Sequence, residues 1–217
     1  MGIYVEIVPV TPLEQNCRIL WTEHDYKAVI VDPGGDTPRI LSRLKALKLE
    51  CNQIWLTHSH FDHVGGLKDL VDATGAEVYG HPIEKEMRML APKFAARYGL
   101  SGCFSAPEPQ HYLHGGESLA GPGGGGSEWK VLFTPGHSPG HVCFLNIEEK
   151  VLLAGDVLFN GSVGRTNLPG GDQGALMSSI RIQLMPLPDD VRVLSGHGPD
   201  TTIGDERRTN PFRALFC

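Results

Sequence analysis

Residues 57–66 read THSHFDHVGG and place four potential metal ligands within six positions: His58, His60, Asp62 and His63. A strand is predicted over 51–57, with the apolar residues Ile54, Trp55 and Leu56 near its end. Side chains two apart on an extended chain point the same way, so His58 and His60 can share one metal ion. Asp62 and His63 fall in the following turn, which can aim them at a second ion. So many titratable groups at one strand end predict a metal site.

Three further segments each place a potential ligand beside a glycine, at the end of a short predicted strand. These ligands are His137 in TPGH (134–137), Asp156 in GD (155–156) and His197 in GHG (196–198). Strand ends are where loops converge on functional sites. Each is a weak indication alone, because a single histidine is more often structural. Together with the first cluster they predict one metal centre, whereas His141 is predicted to be structural or to support a ligand.

The remaining pattern predicts two strand-rich halves, each followed by helices. In the first half, strands are expected over 4–9, 17–21, 28–31, 51–57 and 77–79, with helices near 40–47, 67–71 and 82–98, the last broken near Pro92. Residues 32–36, DPGGD, are predicted to end a strand and open a helix. In the second half, strands are expected over 129–133, 141–147, 151–153 and 191–195, with helices over 174–185 and 203–209. This order predicts an α/β protein with two packed sheets and outer helices, in a single domain over 1–217.

Composition narrows the possible partners and location. The 217 residues are 41% hydrophobic and 20% charged, with a net charge of −6. This charge argues against a nucleic-acid partner, which needs a basic face. No apolar run reaches the roughly 18 residues of a membrane span, and no secretory leader precedes the first strand. The cysteines are odd in number, contain no CxxC pair and are expected to be mostly buried, reduced thiols of a cytoplasmic protein: Cys17, Cys51, Cys103, Cys143 and Cys217.

The motifs THxHxDHxGG, TPGHSPGH, AGDVLF and SGHGP together resemble the metallo-β-lactamase superfamily, and within it the short bacterial type of the glyoxalase II (hydroxyacylglutathione hydrolase) branch. The similarity extends from Gln15 to Phe212. The resemblance implies a four-layer αββα sandwich. It also implies a ligand role for each motif residue: His58, His60 and His137 for one metal ion, Asp62, His63 and His197 for the other, and Asp156 as the bridge.

The resemblance further implies the chemistry. Two divalent ions, zinc first and otherwise iron or manganese, share a water and lower its pKa toward neutrality. The metal-bound hydroxide then attacks a carbonyl, with Asp62 as the catalytic residue that orients it. The expected substrate is a small anionic thioester of glutathione such as S-D-lactoylglutathione. Its thiolate needs little help to leave, because thiols have pKa values near 8.5.

Two departures from the longer glyoxalase II proteins bear on the substrate. The C-terminal helical extension whose basic residues grip glutathione is missing, and Asn167 stands where relatives of the branch often have aspartate. Arg165 and Asn167 are therefore predicted to bind the substrate. A cationic segment could also cover the site, although the pattern favours solvated helix charges for its four basic residues: Lys85, Arg88, Lys93 and Arg97.

Several alternatives stay open. A persulfide dioxygenase of the same scaffold would hold one iron ion with His58, His137 and Asp156 and would consume oxygen. A lactone hydrolase would use the same hydroxide on an oxygen ester. A secreted β-lactamase is disfavoured by the missing leader and by Asp156, and a non-catalytic binding module by the complete ligand set. The sequence leaves the oligomeric state open.

Overall fold

The computed structural model describes residues 2–23, 25–100, 106–122 and 128–216. The chain forms two compact units: Met1–Leu113 with Ala120–Ser127, and His114–Leu119 with Glu128–Cys217. The single domain expected over 1–217 stays a prediction. Two of the five predicted thiols, Cys103 and Cys217, lie outside the described residues.

The first unit is built on a six-stranded sheet. Its strands lie side by side in chain order: β1 (Ile3–Val10), β2 (Gln15–Thr22), β3 (Asp25–Val31), β4 (Glu50–Trp55), β5 (Glu77–Gly80) and β6 (His111–Tyr112). The first three strands pair antiparallel, whereas β3 to β6 pair parallel. Parallel strands need crossover connections, which are helical here.

The helices of this unit are α1 (Thr37–Leu47), the short α2 (Phe61–Val64), α3 (Leu67–Thr74), a 3-10 turn (Pro82–Glu84) and α4 (Lys85–Arg97). The apolar spacing that predicted α1 and α3 marks their buried faces. Ile40 of α1 and Leu67 of α3 are buried in one core with Ile30 and Ile54 of the sheet. Burial of these faces holds the strand ends of the parallel half in place.

The break expected near Pro92 is absent, because α4 runs continuously from Lys85 to Arg97 with Pro92 inside it. A proline inside a helix lacks the N–H that bonds to the carbonyl four residues earlier. The buried side chains of Met87, Ala91 and Ala95 anchor the helix on both sides of the proline and offset this loss. The predicted break was wrong.

The second unit carries a mixed six-stranded sheet in the order β14-β13-β10-β9-β8-β7. Its strands are β7 (Ser118–Ala120), β8 (Glu128–Phe133), β9 (Val142–Asn146), β10 (Val151–Gly155), β13 (Arg192–Ser195) and β14 (Thr201–Thr202). A small hairpin pairs β11 (Leu158–Phe159) with β12 (Ser162–Val163). The helices are α5 (Gln173–Ser179), continued by a π-turn (Ile180–Leu184), α6 (Ile203–Thr209) and α7 (Arg213–Phe216).

The core of this unit lies between its sheet and its helices. Leu152 and Val193, on the paired strands β10 and β13, are buried in one cluster with Leu176, Ile180 and Ile203. The α/β class predicted from the sequence is confirmed. Within the described residues, no helix is both long enough and apolar enough to cross a membrane.

Candidate metal centre

The ligand segment 57–66 begins two residues beyond the end of β4 in the first unit. His60 is extended, with φ −65° and ψ 150°, and α2 starts at the next residue. Asp62 and His63, expected in the turn after the strand, therefore lie in one turn of helix. All four predicted ligands of this unit are buried. The ligand-type atoms of Asp62 and His63 lie within 4.8 Å of each other.

A glycine is required where the chain after β3 passes the ligand turn. A Cβ built on Gly34 would lie 1.6 Å from the backbone oxygen of Asp62. No side chain fits in that space, so the absence of a Cβ lets residues 32–36 lie directly against Asp62.

Asp32 is the central acceptor beneath the ligands, and the sequence analysis missed it. Its Oδ1 accepts the Thr57 N–H at 2.8 Å, and its Oδ2 accepts the Thr57 hydroxyl at 2.6 Å and the His63 Nδ1–H at 2.9 Å. Its side chain is buried, and its backbone φ is 51°, a region that aspartate and asparagine tolerate better than most residues. A carboxylate that ends a parallel strand next to a strand of ligands could have been suspected from the sequence.

These contacts fix which ring nitrogens can bind a metal. The Thr57 hydroxyl donates to Asp32, so it accepts from Nδ1–H of His58 at 2.9 Å, and Nε2 of His58 carries the lone pair. Nδ1–H of His63 likewise donates to Asp32, so Nε2 of His63 carries the lone pair. Such outer contacts orient metal-binding histidines and raise their basicity.

The spacing of His58 and His60 suits a shared cation. Nε2 of His58 lies 3.0 Å from Nδ1 of His60, with the two rings perpendicular. Facing lone pairs at this separation repel, so a proton or a cation must lie between them. Two ligands of one zinc ion are about 3.3–3.5 Å apart in tetrahedral geometry, close to this distance.

The second unit brings together the three remaining predicted ligands. Oδ2 of Asp156, just beyond β10, lies 3.5 Å from Nε2 of His137 and 3.7 Å from Nε2 of His197. Both distances are longer than a good hydrogen bond and match two ligands around one ion better. The Nδ1–H of His137 donates to the backbone oxygen of Arg165 at 2.7 Å, which leaves the lone pair on Nε2.

His141, which the sequence predicted to be structural or to support a ligand, contacts the backbone of the predicted ligand Asp156. Its Nε2 accepts the backbone N–H of Asp156 at 3.1 Å, so Nδ1 carries the proton and lies 3.0 Å from the Thr134 hydroxyl. His141 is fully buried. A Cβ on Gly164 would lie 2.0 Å from the backbone oxygen of Asp156, so the segment that carries Arg165 packs tightly against the backbone of Asp156.

Each unit thus carries, beyond its strand ends, a group of buried or half-buried histidine and aspartate side chains, and hydrogen bonds orient His58, His63 and His137 within these groups. A family model for the metallo-β-lactamase superfamily matches residues 10–197. The chain belongs to the metallo-β-lactamase superfamily.

Relatives within this superfamily match over nearly the whole chain. Hydroxyacylglutathione hydrolase GloC of Haemophilus influenzae is 41% identical over 209 residues, which are 96% of this chain and 97% of that protein. The solved structure of BLEG-1 B3 metallo-beta-lactamase has a TM-score of 0.87 and 38% identity, covering 97% of this chain and 99% of that one. TTHA1623 in a di-iron-bound form has a TM-score of 0.87 and 40% identity, covering 95% and 99%. The predicted metallo-β-lactamase fold is confirmed.

The predicted substrate residues of this superfamily member are exposed. Arg165 and Asn167 lie just after β12, and Nε of Arg165 donates to Oδ1 of Asn167 at 3.0 Å. Asn167 thus holds the guanidinium by its neutral oxygen, although it lacks the charge of the aspartate expected in relatives. The backbone oxygen of Arg165 accepts the hydrogen bond from His137, whereas its side chain is exposed to solvent.

The four basic residues near α4 do not behave alike. Arg88 is buried and bonds to Glu108 at 2.9 Å and to the backbone oxygen of His81 at 3.3 Å, so its charge serves the structure of the first unit. Lys85, Lys93 and Arg97 are exposed. The interpretation as solvated helix charges accounts for these three.

The described cysteines agree with the expectation of buried thiols. Cys17, Cys51 and Cys143 are buried and not disulfide-bonded. Burial raises the pKa of Cys17 well above its ordinary value, and the negative charge of Asp32 adds to this effect. A thiol with a raised pKa is a poor metal ligand, since metals bind the thiolate.

Proposed function

We propose that the chain is a binuclear metal-dependent hydrolase that cleaves a glutathione thioester such as S-D-lactoylglutathione. The observation that carries the proposal is the complete set of seven buried or half-buried ligand residues, four in one unit and three in the other, in a chain 41% identical to a hydroxyacylglutathione hydrolase. The proposed metal ligands are His58, His60, Asp62, His63, His137, Asp156 and His197.

The donor chemistry fits divalent zinc, iron or manganese, since the set combines neutral imidazole nitrogens with carboxylate oxygens. When bound, such ions activate water near neutral pH and polarise a carbonyl group. Zinc is our first expectation, and the di-iron form of TTHA1623 keeps iron open.

The protein's own residues are proposed to orient the attacking water and to hold the imidazole protons of the ligands on their Nδ1 atoms. Asp62 is the proposed catalytic carboxylate: it would accept a hydrogen bond from the attacking water and direct its lone pair at the thioester. Asp32 and Thr57 keep the imidazole protons of His63 and His58 on Nδ1. The backbone oxygen of Arg165 does the same for His137. The leaving thiolate needs no dedicated acid.

The proposed anion recognition relies on a local cation, because the whole chain carries a net charge of −6. Arg165 is suited to this role, since its Nε is held by Asn167 while its terminal nitrogens can form the paired hydrogen bonds that carboxylates prefer. Replacing Arg165 with alanine is expected to raise KM for S-D-lactoylglutathione about tenfold with little change in kcat. Arg181, an exposed arginine of the same unit, provides the matched control. An unchanged KM would remove Arg165 from substrate binding.

The test measures metal content, thioester hydrolysis and oxygen uptake on one preparation. Hydrolysis of S-D-lactoylglutathione is followed by the release of free thiol, with the Asp62→Asn variant as the control. We expect two metal ions per chain, thiol release and no oxygen uptake. A metal-loaded protein that leaves the thioester intact would exclude this substrate. Oxygen uptake with glutathione persulfide would favour the dioxygenase.

The likeness to BLEG-1 supports a second candidate, hydrolysis of a β-lactam amide. A chromogenic cephalosporin added to the same preparation tests it, and a simple lactone tests the oxygen-ester alternative. We expect the thioester to be cleaved with the highest kcat/KM. Its thiolate leaves without protonation at neutral pH, whereas the lactone alkoxide and the β-lactam nitrogen leave less readily without a general acid.

A further inference from the structure

A buried carboxylate outside the seven ligands contacts the ligand segment. Glu84 is only 1% exposed, and its Oε2 accepts the backbone N–H of Ser59 at 2.9 Å. Ser59 lies between His58 and His60, so the carboxylate holds the peptide that joins two proposed ligands of one ion. Glu84 and Ser59 both belong to the first unit.

The local structure keeps Glu84 in this place. It is the last residue of the 3-10 turn Pro82–Glu84, which begins after His81. Nδ1 of His81 accepts the N–H of Ile83 at 3.1 Å, and the buried Arg88 donates to the His81 oxygen at 3.3 Å. These two bonds anchor the start of the turn at His81, and the bond from the Ser59 N–H holds the Glu84 carboxylate at its end.

The charge of this carboxylate matters for cations. The Glu84 carboxylate bonds to the residue between two proposed imidazole ligands, and because it is buried, solvent screens its charge less than the charge of a surface carboxylate. A hydrogen bond from a backbone N–H also favours the ionised carboxylate over the neutral acid. The nearby cation of Arg88 pairs with Glu108 at 2.9 Å.

We propose that Glu84 is a positioning residue for the His58–His60 pair and that its negative charge strengthens metal binding there. Because Glu84 acts through these histidines, the proposal rests on the metal binding of the proposed function and not on its substrate. Two effects are combined in one side chain: the hydrogen bond fixes the peptide of Ser59, and the charge offsets that of the ion.

Two substitutions separate the two effects. Glu84→Gln keeps an oxygen that accepts the Ser59 N–H but removes the charge, whereas Glu84→Leu removes both. Glu86→Gln is the control, since Glu86 lies exposed in the first turn of α4. The measurements are Zn²⁺ affinity by competition with a chromophoric chelator, and urea unfolding in excess chelator.

We expect Glu84→Gln to weaken Zn²⁺ binding about tenfold, the lower end of the effect of residues that support metal ligands, while chelator-treated protein unfolds at nearly the same urea concentration. Glu84→Leu should weaken binding further and also lower the unfolding midpoint. Glu86→Gln should change neither. If Glu84→Gln binds Zn²⁺ like the unmodified protein, the charge has no role and the proposal is overturned. An unmodified protein that binds none of Zn²⁺, Fe²⁺ and Mn²⁺ would instead refute the proposed function, and this inference with it.

Discussion

Asp32 offers the sharpest test of how the ligand segment is held. Its buried carboxylate accepts three hydrogen bonds, two from Thr57 and one from His63. Replacement by asparagine keeps the size and the tolerance for the left-handed backbone conformation at φ 51°. An asparagine oxygen in place of Oδ2 still accepts two of the bonds. Its NH₂ group then meets the Thr57 N–H, so two buried donors face each other.

The expected loss follows from this geometry. One charge-assisted bond disappears and one buried N–H is left without an acceptor, which together cost about 2–4 kcal/mol. In Asp32→Ala all three donors lose their acceptor, and breaking such a buried network costs about 3–5 kcal/mol. Metal affinity should also fall about 10–100-fold, as for other groups that orient a metal-binding histidine.

Urea unfolding in excess chelator measures the first effect, and Zn²⁺ competition with a chelator measures the second. Asp36→Asn is the matched control. Asp36 is also left-handed, with φ 48°, but is exposed and accepts the Thr11 N–H at 2.8 Å. We expect Asp36→Asn to cost below about 1 kcal/mol and to leave Zn²⁺ affinity unchanged. If Asp32→Asn matches this control in both measurements, Asp32 does not brace the ligands.

Three further substitutions test other contacts. Gly34→Ala should lower the free energy of unfolding in urea by at least about 3 kcal/mol, because its Cβ would lie 1.6 Å from the backbone oxygen of Asp62. Gly75→Ala is the control and should cost only about 1 kcal/mol, because its Cβ meets no atom within 4 Å although its φ is 68°. Equal losses would contradict the close approach of Gly34 to Asp62. Glu206→Gln should cost about 3 kcal/mol, because the buried carboxylate accepts from Gly161 N–H at 3.0 Å and from two side chains, and an exposed Glu148→Gln should cost nothing measurable. Burial raises the pKa of Cys51 from its ordinary 9.0 to about 12, so the folded state keeps a proton that the unfolded chain releases. Stability should therefore fall as pH rises from about 9 toward 12, and less so in Cys51→Ala; identical pH profiles of urea unfolding would exclude the thiol as a cause.

The sequence was most informative where function is encoded within a few neighbouring residues. His58 and His60 lie on one extended stretch, and their spacing alone predicted that they act together; their nitrogens are 3.0 Å apart. The apolar periodicity of α1 and α3 predicted their buried faces correctly. Strands of two or three residues, such as β6, β12 and β14, are too short for any periodicity and were missed.

Contacts between distant positions gave no such signal. Asp32 is 25 residues from Thr57 and 31 from His63, and Glu84 is 25 residues from Ser59. In the sequence, Asp32 indicates the end of a strand, and Glu84 falls within a predicted helix. Pro92 shows the same limit, because burial on both sides of it outweighs its local preference to break a helix.

The spacing of side chains along a strand or a helix is a local property, and the order of residues therefore sufficed to predict which ligands the segment 57–66 offers. The acceptors that fix the protons and directions of those ligands are carboxylates and backbone oxygens from elsewhere in the chain. Any such group can fill the role, so no residue type marks it, and it is known only once folding has brought the partners within hydrogen-bonding distance.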